Sequence, residues 1–261
     1  MDIFFITAIF LLGGIGSFMS GLLGIGGSII TYPLLLFVPA AVGAAHFTAH
    51  EVSGITSVQV LFASIGGVWV YRKSSFLNKQ LIIWMGISVL LGSTAGGLVS
   101  AGMPETVINF IYGILALLAV VMMVVPGSKQ NEQPLEGVIF NRWLAAVISF
   151  VIGAAAGIVG AGGAFLLVPV MLAVLKIPAK MTIASSLAIT LIASIGSAAG
   201  KIFTDQVEWG PASIVIAASL LASPLGAMAG KKANPKVLKV ILSLLILASA
   251  LKIWADIFIQ S

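Results

Sequence analysis

The backbone chemistry of this sequence is concentrated in two stretches. Residues 21–33 read GLLGIGGSIITYP and residues 157–169 read GIVGAGGAFLLVP. Gly21, Gly24, Gly26, Gly27 and Pro33 thus fall on Gly157, Gly160, Gly162, Gly163 and Pro169 at a constant offset of 136. Four glycines within seven residues weaken a helix and permit backbone dihedrals that a Cβ resists. Each block is therefore expected to break an apolar helix. The arm that resumes after the double glycine presents unpaired N–H groups and about half a positive charge at its N-terminus. That is anion-binding chemistry, available without an arginine. The expected backbone donors are Gly24, Gly26, Gly27 and Ser28 in the first block, and Gly160, Gly162, Gly163 and Ala164 in the second. Thr56, Ser57 and Gln59, with Ser185 and Ser186, could add hydroxyl or amide donors to the same anion. The glycines have a competing use in close helix packing. The hydroxyls have one in bonding the carbonyl a turn back, and packing is the expected role of Ser64, Ser93, Ser194 and Ser223.

A second constellation is HFTAHE, with His46, His50 and Glu51. The two histidines stand four apart, so a helix puts them on one face, as in some zinc sites. The order is not HExxH and no third ligand is evident, so an intramembrane metalloenzyme built on His46, His50 and Glu51 is the weaker alternative, and neither a metal nor a catalytic set is expected. His50 and Glu51 also suit proton coupling, because both change charge at modest cost near membrane depth. Against that stands a solvated helix start with Glu51 in its favourable first turn. Lys201 and Arg72 sit at related helix ends, where long side chains are expected to snorkel to the surface.

These groups need elements to hold them, and composition dictates which. The 261 residues are 60% hydrophobic and only 8% charged, with a mean hydropathy of +1.18, whereas a soluble globule carries about a quarter charged residues. The chain is expected to be an all-α polytopic membrane protein. Charge-free runs at 52–71, 81–104, 106–128, 181–200 and 209–230 each approach or exceed the roughly 20 residues needed to cross. Residues 240–254 are a further span, with Lys252 near its end. The N-terminal stretch lacks a basic region and a small-residue cleavage site, and is taken as the first helix. The sequence has no cysteine, which excludes disulfides, thiolate metal sites and iron–sulfur clusters. The net charge of +5 resides in loops and encodes orientation rather than a nucleic-acid partner. Trp69, Tyr71, Trp143, Trp209 and Trp254 lie near helix ends, as interfacial anchors do.

The repeat extends past the glycines. Ala63-Ser-Ile-Gly66 returns as Ala193-Ser-Ile-Gly196, and the Thr56-Ser57 pair is matched by Ser185-Ser186. Two repeats, 1–125 and 143–261, are expected on either side of a polar cytoplasmic linker, 126–142. Loop charge alternates oppositely in the two halves. Arg72, Lys73 and Lys79 form the basic loop of the first, whereas in the second Lys176 and Lys180, then Lys231, Lys232 and Lys236, flank a balanced loop with Asp205 and Glu208. Corresponding loops then lie on opposite sides, so the repeats are expected to be inverted. Residues 143–175 hold no charge over 33 positions, about 50 Å as one straight helix against a core of roughly 30 Å. They are expected to fold as a hairpin bent at the glycines, with residues 3–38 as the inverted mate. Three transmembrane helices then follow each hairpin, giving 8 to 10 membrane segments.

A GxxGxGGxxxxxP block near the start of each half, followed in each by a Thr-Ser or Ser-Ser pair, resembles the sulfite exporter TauE/SafE family of membrane permeases. The resemblance covers nearly the whole chain. It implies secondary transport, without a cofactor, of small sulfur-containing anions such as sulfite, sulfonates or sulfoacetate across the bacterial inner membrane. Alternating access between the repeats would follow, with H+ or Na+ as a candidate coupling ion and a homodimer as a candidate assembly. An anion channel of the same fold remains a further alternative. Ser28 and Ala164 depart from the family pattern, which often has a third glycine there, and His46, His50 and Glu51 stand where small or apolar residues are expected.

Overall fold

The computed structural model describes residues 3–23, 28–72, 77–124 and 140–232, together with positions 240, 244, 247, 248 and 250–255 of the C-terminal segment. Gly24, Gly26 and Gly27, and the linker up to residue 139, lie outside the described residues. Every described element is helical: α1 (Ile3–Leu23), α2 (Ser28–Ala41), α3 (Ala49–Tyr71), α4 (Lys79–Val99), a 3-10 turn (Ser100–Gly102), α5 (Glu105–Val124), α6 (Arg142–Val159), α7 (Ala164–Ala173), α8 (Ala179–Phe203) and α9 (Trp209–Lys232).

Polar residues start these helices where the chain needs a donor satisfied. Thr48 caps α3 in a reciprocal box: Glu51 N donates to Thr48 Oγ1 (3.2 Å) and Thr48 N to Glu51 Oε2 (2.7 Å). Asn78 and Asn141 cap α4 and α6 through the amides of Leu81 and Leu144. Such caps are worth about 1 kcal/mol each.

Among the described residues, seven helices are long and apolar enough to cross a membrane, and α2 is a shorter apolar helix. This agrees with eight segments of the 8 to 10 expected. α3 and α8 form the centre. Their spans are 72% and 67% buried within the protein, against 33–39% for the other five. Burial by protein rather than lipid is consistent with α3 having the lowest mean hydropathy of the seven, 1.4.

The outer helices are exchanged between the halves. α4 packs on α6 and α8, and α9 packs on α1 and α3. The contacts come in matched pairs. A Cβ added to Gly157 would lie 2.3 Å from the Ser93 carbonyl oxygen, and one on Gly21 would lie 2.1 Å from that of Ser223. Gly96 meets the Ala154 carbonyl and Gly226 the Phe18 carbonyl, each at 1.9 Å from the added atom. Ser93 Oγ donates to Ala193 O (2.7 Å), and Ser223 Oγ donates to Ala63 O. Backbones this close allow only glycine, and the serine hydroxyls bridge helices, as small residues do in membrane bundles. The C-terminal segment lies against α5, where Trp254 meets Phe110 edge-on and Ile253 is buried.

Candidate anion site at the helix break

The second glycine block breaks the helix as its composition demands. α6 ends at Gly160, which adopts the left-handed conformation (φ 75°, ψ 20°), and Ala161 N reaches back to Ala156 O at 2.8 Å. This six-to-one bond is the Schellman way of satisfying the last carbonyls. Gly162 (φ 62°) and Gly163 (φ 73°) are also left-handed, and Gly163 is the N-cap of α7. Three positive φ values in four residues explain why glycine stands at each position. Leu166 N and Leu167 N both bond Gly163 O. The amides just before them begin α7 and have no partner within it.

The break lies deep in the protein. A Cβ on Gly162 would come 2.8 Å from Val60 Cγ1 and 3.5 Å from Thr190 Cγ2. Val60 is the middle residue of α3, and Thr190 adjoins Leu191, the middle of α8. Gly160, Gly162 and Gly163 are buried. The first block reaches the same place from the other half: Ser28, the first residue of α2, is fully buried and donates from Oγ to Ala161 O at 2.9 Å. The starts of α2 and α7 thus meet at mid-depth between the two central helices, and both helices bring their positive ends there.

The other expected residues divide. Gln59 stands beside the site: Nε2 donates to Ser17 Oγ (2.9 Å), Thr31 Oγ1 (3.0 Å) and Gly13 O (3.3 Å). Its Oε1 is buried with no partner among the described residues. The hydroxyls of Thr56, Ser57 and Ser186 donate to Val52 O, Gly54 O and Ile183 O on their own helices. Ser185 Oγ accepts from Asn78 N at 3.2 Å. Glu51 is engaged in the α3 cap. His50 sits in that helix's first turn, with Nδ1 3.2 Å from Gln206 Oε1 and Nε2 2.9 Å from Met103 O. Among the described residues no three His, Cys, Asp or Glu side chains gather where a metal could be held.

Lys201 corrects an expectation. It does not snorkel: the residue is fully buried. Nζ shares its hydrogens, three at most, among four acceptors: Ser53 Oγ (2.8 Å), Ser100 Oγ (2.7 Å), Ile158 O (2.9 Å) and Gln206 Oε1 (2.8 Å). The reason is a contact between two helices. Gly200 lies against the backbone of Gly97, 3.0 Å from its added Cβ, so the end of α8 is pressed onto α4 and the lysine turns inward. The available signal was the position of Lys201 two residues inside an apolar run, after Ser197-Ala-Ala-Gly200. Arg72, by contrast, is exposed and lies over Trp69 at 5.0 Å.

The sulfite exporter TauE/SafE family model matches residues 9–253. The chain belongs to that family. It is a multi-pass membrane transporter by membership. It is 24% identical over 266 residues to the probable membrane transporter protein YunE of Bacillus subtilis, covering 95% of this chain and 97% of the relative. It is 25% identical over 252 residues to a probable membrane transporter protein of Xylella fastidiosa strain 9a5c, covering 94% and 95%. It is 27% identical over 248 residues to the probable membrane transporter protein MJ0441 of Methanocaldococcus jannaschii, covering 89% of each. No solved structure matches the chain.

Proposed function

We propose that this TauE/SafE chain carries small sulfur-containing anions such as sulfite, sulfonates or sulfoacetate across the bacterial inner membrane. The anion is held by backbone N–H groups at the two glycine breaks. The observation that carries this reading is the bond from Ser28 to Ala161, which joins the start of α2 to the α6–α7 break at the midpoints of α3 and α8. Converging helix starts at mid-depth supply positive potential and orientated donors without a fixed guanidinium, and an anion bound this way is also released. Irregular backbone survives at that depth where protein or a wet cavity satisfies it. The groove along α1 formed by Phe10, Leu11, Gly14, Ile15, Phe18 and Met19 is apolar and suits lipid rather than an anion.

Alternating access follows from two inverted repeats, 1–125 and 143–261, joined on the cytoplasmic side by 126–142. The matched exchange of α4 and α9 between the halves supports this arrangement, because each outer helix is tied to the other repeat's broken hairpin and the two bundles can rock about the break. The test is binding of sulfite, thiosulfate, sulfoacetate, taurine and sulfate to detergent-purified protein by calorimetry. Saturable binding of at least one sulfur oxyanion is expected. No binding across the series, by protein that unfolds cooperatively, contradicts the reading.

A further inference from the structure

Lys201 takes no part in the anion site, yet it holds together the layer between the break and one end of the bundle. Counted from Leu191, at the level of the break, Lys201 lies about 15 Å along α8 toward the Asp205 end. Counted from Val60, Ser53 lies about 10 Å along α3 in the same direction. The acceptors around Nζ come from both halves of the chain. Ser53 in α3 and Ser100 in the 3-10 turn belong to the first, and Ile158 in α6 and Gln206 in the loop after α8 to the second. Their other bonds fix their orientation. Ser53 Oγ donates to His50 O (2.8 Å) and Ser100 Oγ to Gly97 O (2.7 Å), so each turns a lone pair to Nζ. Thr204 Oγ1 donates to Gly200 O (2.8 Å) and so accepts from Gln206 Nε2, which leaves Oε1 for the lysine. Around this knot backbone meets backbone. A Cβ on Gly54 would lie 1.9 Å from Gln206 O, one on Gly160 1.9 Å from Ser53 O, and one on Gly200 3.0 Å from Gly97. Ser53, Ser100 and Lys201 are fully buried. The layer has no room for an added methyl group at these three glycines, and an oxyanion is larger still.

We propose that Lys201 is the latch of a gate at the Asp205 end, a positioning residue that shuts the anion path on that side by binding the two halves together. The proposal rests on the transport reading above. The contact is built to be reversible. Every acceptor is a neutral oxygen, and among the described residues no carboxylate is bonded to Nζ. Neutral acceptors give way to water one at a time as the halves separate, whereas parting an ion pair would strand two buried charges. Lys201 stays an ammonium throughout and exchanges only its partners. The repeat places a different residue at the other end. The offset of 130 that carries Ala63 to Ala193 also carries Tyr71 to Lys201. Tyr71 is buried at the far end of α3, in a cluster with Ala184, Leu187 and Ala227. The matching position is thus held by apolar packing there and by a hydrogen-bonded cation at the Asp205 end.

The chain has no cysteine, so Ser28→Cys, beside the break, reports access to it. The experiment uses membrane vesicles and a maleimide that does not cross them, with Asp205→Cys marking which side is which. With Lys201 intact, Ser28→Cys is expected to react from the Asp205 side at least a hundredfold more slowly than Asp205→Cys. Lys201→Met is expected to raise that rate at least tenfold and to leave the rate from the opposite side unchanged. Lys201→Arg, which keeps a cation and its donors, is expected to restore slow reaction in part. Ser100→Ala removes one acceptor and keeps the lysine, and is expected to raise the rate at least threefold from the same side. An unchanged rate in Lys201→Met overturns the proposal. So does an equal rise from both sides, which is what a loosened fold gives. If Lys201→Met does not reach the membrane folded, Ser100→Ala decides by the same two criteria. The labelling needs no anion, so it fails separately from the transport reading, which the binding series tests.

Discussion

At the scale of single residues, Gly160 and Gly163 share a left-handed φ but differ in what surrounds them, and that difference makes a prediction. A Cβ on Gly163 finds ordinary contacts at 3.4 Å and beyond, whereas one on Gly160 falls 1.9 Å from the Ser53 carbonyl oxygen. Gly163→Ala is expected to cost about 1–2 kcal/mol from the backbone conformation alone. Gly160→Ala adds overpacking of about 1–3 kcal/mol, because backbone rather than a flexible side chain must move. Thermal unfolding in detergent checks the order: Gly160→Ala should melt well below Gly163→Ala, and equal midpoints contradict this account of the break. The glycine block was legible in the sequence because its spacing recurs. The direction of the hydroxyls was not, because Thr56, Ser57 and Ser186 can bond either a ligand or their own helix and composition does not choose. The burial of Lys201 is hidden from the sequence for a similar reason: the inward turn depends on Gly97 and Gly200 touching across two helices, a long-range contact that one helix's sequence does not encode.

At the scale of elements, the charge-free runs marked the long helices because a bilayer leaves little alternative to continuous apolar helix. The hairpin arms were harder to read. α1 and α6 span 21 and 18 residues, but α2 has 14 and α7 only 10. At 1.5 Å per residue α7 is about 15 Å long, roughly half the hydrocarbon core. The second hairpin is therefore one long arm and one short arm that starts at mid-depth. Uniform apolar sequence on both sides of the glycines hides this asymmetry. It emerges from where the break sits, against the middles of α3 and α8. The caps at Thr48, Asn78 and Asn141 were visible types, and the Thr48–Glu51 box gives Glu51 a structural task at the start of α3.

At the scale of the whole molecule, the exchange of α4 and α9 makes the two halves of the chain interdependent, and the inversion proposed for them has a direct consequence for sidedness. The chain has no cysteine, so single cysteines report without background. Cysteines at Lys79 and Lys232 are expected to label from the cytoplasm and one at Asp205 from the periplasm. The same sidedness for all three contradicts inversion. Central to everything else is an anion held at the break, and the most direct test is uptake into proteoliposomes by Gly162→Val, whose left-handed φ and nearness to Val60 make a β-branched residue costly at that point. With the protein still folded by cooperative unfolding, uptake of the sulfur oxyanion carried by the wild type should fall at least tenfold. Wild-type uptake by folded Gly162→Val would contradict an anion site at the break.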